Sequence, residues 1–140
     1  MKLKIREITR AGIAFEDQAM PARIDLVEDF IDGEKPIVVK GHLQQVDAFI
    51  IAKLDVSYTQ DTICARCLDN VNRRVSVALE FDIQYDPGDE FVDIGEKVRE
   101  ELLIAQPARV LCKEDCQGIC PDCGVYLNEE SCDCRKRIKE

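Results

Sequence analysis

The sequence predicts an α+β fold: an antiparallel β-sheet, one main helix and a C-terminal cysteine-rich zinc-binding segment. Three observations carry this expectation. Apolar residues fall at every second position over 46–58 and again over 71–85, the period of half-buried strands. The stretch 94–106 has apolar residues at helical spacing behind a capping aspartate. The eight cysteines come in four close pairs, six of them between Leu111 and Arg135, and a close pair offers two thiolates to one tetrahedral ion.

The elements follow in order. Residues 2–7 alternate and predict a first strand. Residues 16–34 are acidic and ambiguous: Ile24, Leu26 and Phe30 suit a strand, whereas Ile24, Val27 and Ile31 suit a helical face after Pro21. From Pro36 the pattern sharpens. Ile37, Val39 and Leu43 form one face of a strand, with Gly41 permitting a bulge or close approach. His42, the one histidine, lies on the other face and reads as a surface residue. Val46, Ala48, Ile50, Ala52, Leu54, Val56 and Tyr58 then make a long strand. Val71, Val75, Val77, Leu79, Phe81, Ile83 and Tyr85 make its mirror, with Arg73 the exception on that face. Between them sits Cys64-Ala-Arg-Cys67, so an antiparallel hairpin with a thiol knuckle at its tip is expected. Asp86-Pro87-Gly88-Asp89 ends the second strand as a turn. Asp93 reads as an N-cap with Glu96 completing a capping box, and the helix runs from Ile94 to about Gln106, before Pro107. Its apolar stripe is Ile94, Val98, Leu102 and Ala105, widened by Leu103.

Cysteine arithmetic sets the candidate sites. Six cysteines fill one four-ligand site and strand two; eight complete two sites. Cys120-Pro-Asp-Cys123 is a tight knuckle with Gly124 available for a positive φ, and Cys132 and Cys134 follow closely enough to fold back on it. The expected metal ligands are therefore Cys64, Cys67, Cys112 and Cys116 in one site, and Cys120, Cys123, Cys132 and Cys134 in the other. A pairing of Cys112 and Cys116 with Cys120 and Cys123 is the crowded alternative. Zinc, two ions per chain, is the expected metal; iron–sulfur ligation uses the same residues. Disulfides need an oxidising compartment, and the start Met-Lys-Leu-Lys-Ile-Arg-Glu has no apolar signal core, so a cytoplasmic location is expected. No apolar run is long enough to predict a membrane span. The domain division read from the chain is 1–116, a sheet domain with the first zinc site, and 117–140, a zinc-knuckle tail.

The net charge is −9, and eight thiolates with two dications would bring it to about −13. An acidic body points to basic partners. Basic residues gather only at the ends, at Lys2, Lys4, Arg6 and Arg10 and at Arg135, Lys136, Arg137 and Lys139, where solvated termini are the plainer reading. Nine acids against Lys97 and Arg99 lie from Glu80 to Glu101. Saturated cysteine sites have no open position, and no spare histidine or Ser–His pairing accompanies them, so no enzyme is expected.

With these residues in place the chain resembles the YceD family, the large-ribosomal-RNA-subunit accumulation proteins. The resemblance rests on the Cys64-Ala-Arg-Cys67-Leu68 knuckle and the Val98-Arg-Glu-Glu-Leu-Leu helix leading to Pro107. It rests also on the tail that runs from Cys112 through Cys116-Gln-Gly-Ile-Cys120-Pro-Asp-Cys123-Gly-Val-Tyr-Leu127-Asn128. It covers roughly residues 60–134 and implies a small, cytoplasmic, non-enzymatic protein needed for accumulation of large-subunit ribosomal RNA. Combined with the charge, it gives the expected partner as a basic ribosomal protein or a large-subunit precursor, with no membrane and no small-molecule substrate. The alternative is a zinc-module nucleic-acid-binding protein contacting ribosomal RNA directly.

Overall fold

Why the middle of the chain forms a sheet is visible in its burial. In the computed structural model, which describes residues 1–134, the alternating residues Ile50, Ala52, Leu54, Val56 and Tyr58 are all buried while Lys53 and Asp55 between them are exposed. The elements run β1 (Lys2–Lys4), β2 (Ile13–Ala19), β3 (Ile37–Val46), β4 (Phe49–Ile63), β5 (Asn70–Gln84), β6 (Phe91–Asp93) and α1 (Ile94–Ala105). Short 3₁₀ turns lie at Ile5–Glu7 and Pro21–Ile24. The predicted class, antiparallel sheet with one main helix and a C-terminal cysteine cluster, is the observed one.

The chain divides into two compact units, Met1–Gln60 with Arg73–Gln106, and Asp61–Asn72 with the segment from Pro107. The division expected from sequence sets the first cysteine quartet with the sheet, as 1–116, and 117–140 apart as a tail. In the compact units both quartets fall in the second.

In the first unit the four-stranded sheet has the order β2-β3-β4-β5. β2 and β3 pair antiparallel, as do β3 and β4. Across β4 and β5, Lys53 meets Glu80, Ser57 meets Ser76 and Gln60 meets Arg73. One index falls as the other rises, which is the signature of an antiparallel pair. Gly41 of β3 lies opposite Phe15 of β2 and Leu54 of β4. A Cβ there would come within 2.1 Å of the Lys53 carbonyl oxygen and 3.0 Å of a Leu54 methyl. The glycine is thus a close-approach position, and larger neighbours occupy its space.

β1 and β6 form a separate two-stranded sheet, with Leu3 opposite Val92. β6 leads directly into α1. The Asp93 carboxylate caps the helix by accepting from the N–H groups of Gly95 (3.0 Å) and Glu96 (3.3 Å), the bonds a helix start otherwise lacks. Ile94, Val98 and Leu102 are fully buried in the core shared with the sheet. Arg99 Nε donates to the Asp25 carbonyl at 2.9 Å, and Gln106 Nε2 donates to Tyr58 Oη at 2.7 Å.

Several element boundaries differ from the sequence expectation. The strand expected over 2–7 stops at Lys4, because Ile5 turns inward as a buried residue of a 3₁₀ turn. The strand expected from Val46 starts at Phe49: β3 runs on to Val46, and Asp47 at φ 52° turns the chain into a two-residue hairpin pairing Val46 with Phe49. In the ambiguous region neither alternative holds throughout. β2 reaches Ala19, a 3₁₀ turn follows Met20, and Ile31 makes a single bridge to Gln60. Ala105, expected on the apolar stripe, is exposed. His42 is exposed, as expected.

Candidate metal centres

The second unit is built around sulfur. Cys64, Cys67 and Cys116 are buried with Val71, and Val110, Leu111, Cys112, Ile119 and Tyr126 pack around them. The sulfurs of Cys64, Cys67, Cys112 and Cys116 all lie within 4.8 Å of one another, and so do those of Cys120, Cys123, Cys132 and Cys134. The structure therefore brings the eight cysteines together in the two quartets expected, and not in the crowded alternative. All eight are free of disulfides.

The two Cys-x-x-Cys turns have the same backbone. In the first, Leu68 N–H donates to the Cys64 carbonyl (3.0 Å) and Cys64 N–H to the Asp69 carbonyl (2.8 Å). In the second, Gly124 N–H donates to the Cys120 carbonyl and Cys120 N–H to the Val125 carbonyl, both at 2.9 Å. Each turn closes with a left-handed residue, Leu68 at φ 65° and Gly124 at φ 74°. The positive φ expected at Gly124 is observed, and its counterpart is a leucine. Further bonds fix the first quartet: Ala65 N–H reaches the Val110 carbonyl at 2.8 Å, and an Arg66 guanidinium N–H reaches the Cys116 carbonyl at 2.9 Å.

The spacing fits a metal. Four bonds of about 2.3 Å at tetrahedral angles place sulfurs roughly 3.8 Å apart. Cys64 to Cys116 is 3.7 Å and Cys67 to Cys112 is 3.6 Å, whereas a disulfide would need about 2.05 Å. The thiols of each quartet also perturb one another. Burial pushes the Cys64 thiol up, but the N–H groups of Cys67, Arg66 and Cys112 outweigh it and bring it down to about 6. Burial and the neighbouring thiols of Cys116 and Cys67 push Cys112 up to about 12. In the second quartet the N–H groups of Cys123 and Asp122 bring Cys120 down to about 6, while the Cys123 sulfur and burial push Cys134 up to about 12. Crowded thiols thus ionise unequally on their own, and a dication among them would favour the thiolate at each. Both quartets could hold a metal ion.

Two residues of this region were given no role from sequence. Asn128 Nδ2 donates to Cys116 Sγ at 3.4 Å and holds the Cys116 thiol low. Its Oδ1 accepts from Gln117 N–H at 2.9 Å. Tyr126 Oη lies 3.5 Å from Cys67 Sγ and against the Asp69 carboxylate, with one proton to give to either acceptor. Both stand in the Tyr-Leu-Asn motif, but no spacing rule says which sulfur a side chain between Cys123 and Cys132 will meet.

A second surface belongs to the first unit. A groove of about 430 Å³ is lined by Asp82, Asp89, Asp93, Glu96 and Glu100, with Phe91 exposed at its wall. Lys97 is the one cation lining it among the described residues, and it is engaged by Glu100 at 3.3 Å and Glu101 at 3.4 Å. The basic end Arg135, Lys136, Arg137 and Lys139 lies outside the described residues. No helix among the described residues is long and apolar enough to cross a membrane.

Fold and site define a small α+β protein with two saturated four-cysteine clusters. The family model described as Large ribosomal RNA subunit accumulation protein YceD matches residues 78–140. Over those residues the chain is similar to that family, the one its cysteine motifs resemble. Curated relatives include uncharacterized proteins of Mycobacterium tuberculosis and Mycobacterium bovis, each 29% identical over 125 residues, covering 79% of this chain and 60% of the relative. One from Mycobacterium leprae is 26% identical over 121 residues, covering 76% of this chain and 56% of the relative. The chain thus spans about 60% of the length of the curated relatives it matches. No solved structure matches it.

Proposed function

We propose that the protein is a non-enzymatic, cytoplasmic factor of bacterial ribosome biogenesis, needed for accumulation of large-subunit ribosomal RNA. One observation carries the reading: the match of residues 78–140 to a family described by that role. The eight cysteines hold two zinc ions as structural sites, since four thiolates fill a tetrahedral shell and leave no position for substrate. The protein acts by binding a basic ribosomal protein or a large-subunit precursor. The charge of −9 and the carboxylate-lined groove support this, because a lysine- and arginine-rich partner is attracted where a phosphate backbone is repelled.

Depletion tests the role. The ratio of large- to small-subunit ribosomal RNA should fall in depleted cells and recover with the wild-type chain; an unchanged ratio overturns the proposal. Direct RNA binding is the competing outcome. It would show as tight association of the purified chain with ribosomal RNA that weakens steeply with salt.

A further inference from the structure

We propose that a metal in the second quartet tightens the grip of the first, through Tyr126 and Asn128. This rests on the reading of both quartets as metal sites. Residues 124–131 lie between Cys123 and Cys132, so binding at the second quartet pins both ends of this loop. The loop is tied down within its own hairpin as well: Leu127 N–H donates to the Gly118 carbonyl at 2.9 Å, and Tyr126 bridges to Ile119. Yet two polar side chains of the loop reach the other quartet. Asn128 donates to Cys116 Sγ, and the Tyr126 hydroxyl, set against Asp69, lies 3.5 Å from Cys67 Sγ.

The chemistry gives these bonds a purpose. Four thiolates around a dication leave a formal charge of −2, and N–H or O–H donors to sulfur spread it without competing for the metal. Asn128 is oriented for this. Its carbonyl oxygen is taken by Gln117 N–H, so its NH₂ faces the sulfur; a flipped amide would set an acceptor against a thiolate and a donor against a donor. Tyr126 is likewise held by Asp69. These are positioning residues, not ligands, and their order depends on a loop that the second quartet closes. Gly118, at φ 78°, adds a fit between the two: a Cβ there would sit 3.0 Å from the Arg66 carbonyl, beside the first knuckle.

The test uses the full chain loaded with zinc and challenged with a chelator. Thiols set free are trapped by alkylation, and peptide mass spectrometry reads the first quartet separately from the second. Asn128→Ala should free Cys64, Cys67, Cys112 and Cys116 about 10- to 100-fold faster, the usual loss on removing a group that supports a metal ligand. Cys132→Ser, a change within the second quartet, should do the same. The double variant should be little worse than Cys132→Ser alone, because both remove one coupling. Unchanged release from the first quartet in Cys132→Ser, or effects that multiply in full, overturns the proposal while the metal reading stands. A chain that binds neither zinc nor cobalt overturns both. Tyr126→Phe removes only a hydroxyl and serves where Asn128→Ala does not fold. In the cobalt-loaded chain either variant should move a thiolate-to-cobalt charge-transfer band to lower energy, since a sulfur stripped of its donor gives up an electron more readily. Loss of packing alone would leave that band in place, and an unmoved band overturns the proposal.

Discussion

Leu68 and Gly124 occupy the same place in the two knuckles, one residue beyond the second cysteine, at φ 65° and 74°. Glycine takes that conformation freely, whereas a leucine pays roughly 1–2 kcal/mol for the approach of its Cβ to the carbonyl. Leu68 is 61% exposed, so little burial offsets the strain. Leu68→Gly should then leave unfolding of the metal-loaded chain within about 0.5 kcal/mol of wild type, relief of strain balancing the entropy a new glycine adds to the unfolded state. Gly124→Ala should cost up to about 1 kcal/mol, strain of about 1–2 kcal/mol less the unfolded-state entropy that losing a glycine removes, although nothing lies within 4 Å of the position its methyl would take. Denaturation of the two variants side by side checks this. A Leu68→Gly chain markedly less stable than Gly124→Ala would show that side-chain contacts, not the turn, decide the knuckle.

Along the helix, sequence pattern and burial agree at Ile94, Val98 and Leu102 and part at Ala105. Leu102 is fully buried and Ile104, two residues on, is 77% exposed. Leu102→Ala should therefore cost about 2–5 kcal/mol in chemical denaturation and Ile104→Ala less than about 0.5. Asp93→Ala, which removes the acceptor for two amide protons, should cost about 1 kcal/mol. Equal effects at 102 and 104 would mean the helix docks by another face. The cap, the helix and the strand alternation were legible because each is a local pattern of side chains against a fixed backbone period. The pairing of β1 with β6 was not, since three-residue strands carry no period and meet across some ninety residues. The start of β4 was misread because Val46 and Ala48 continue the alternation through a turn that Asp47 makes with its backbone alone. At the metal centres the quartets were legible from spacing, which counts ligands. Tyr126 and Asn128 were not, because their partners follow from how the loop folds over the first knuckle's sulfurs.

Taken whole, the molecule joins a strongly acidic sheet-and-helix unit to a small unit whose core is largely cysteine. A core of that size orders little chain without metal, so two tightly held ions per chain are expected by elemental analysis of protein purified without added metal. One ion or none would undo the two-quartet reading, and two irons with visible absorbance would change the metal. The acidic unit carries the last prediction. Asp82, Asp89, Glu96 and Glu100 are exposed along the groove, and none of them caps the helix or enters the core. Glu100 pairs with Lys97, but at the surface, where such a pair contributes at most about 1 kcal/mol. Changing all four to Lys raises the formal charge from −9 to about −1 and should leave fold and zinc content intact. If the groove holds a basic partner, this variant should fail to restore large-subunit ribosomal RNA in depleted cells. A charge-matched control with Asp17, Glu28, Glu34 and Asp55 changed to Lys, exposed but not lining that groove, should restore it and so separate the groove from net charge. Neutralising Lys2, Lys4, Arg6 and Arg10 together with Arg135, Lys136, Arg137 and Lys139 tests the opposite idea. Rescue that survives reversal of the groove but is lost with the basic ends would favour RNA as the partner, because a phosphate backbone gains from those cations and loses nothing when the groove's carboxylates are reversed.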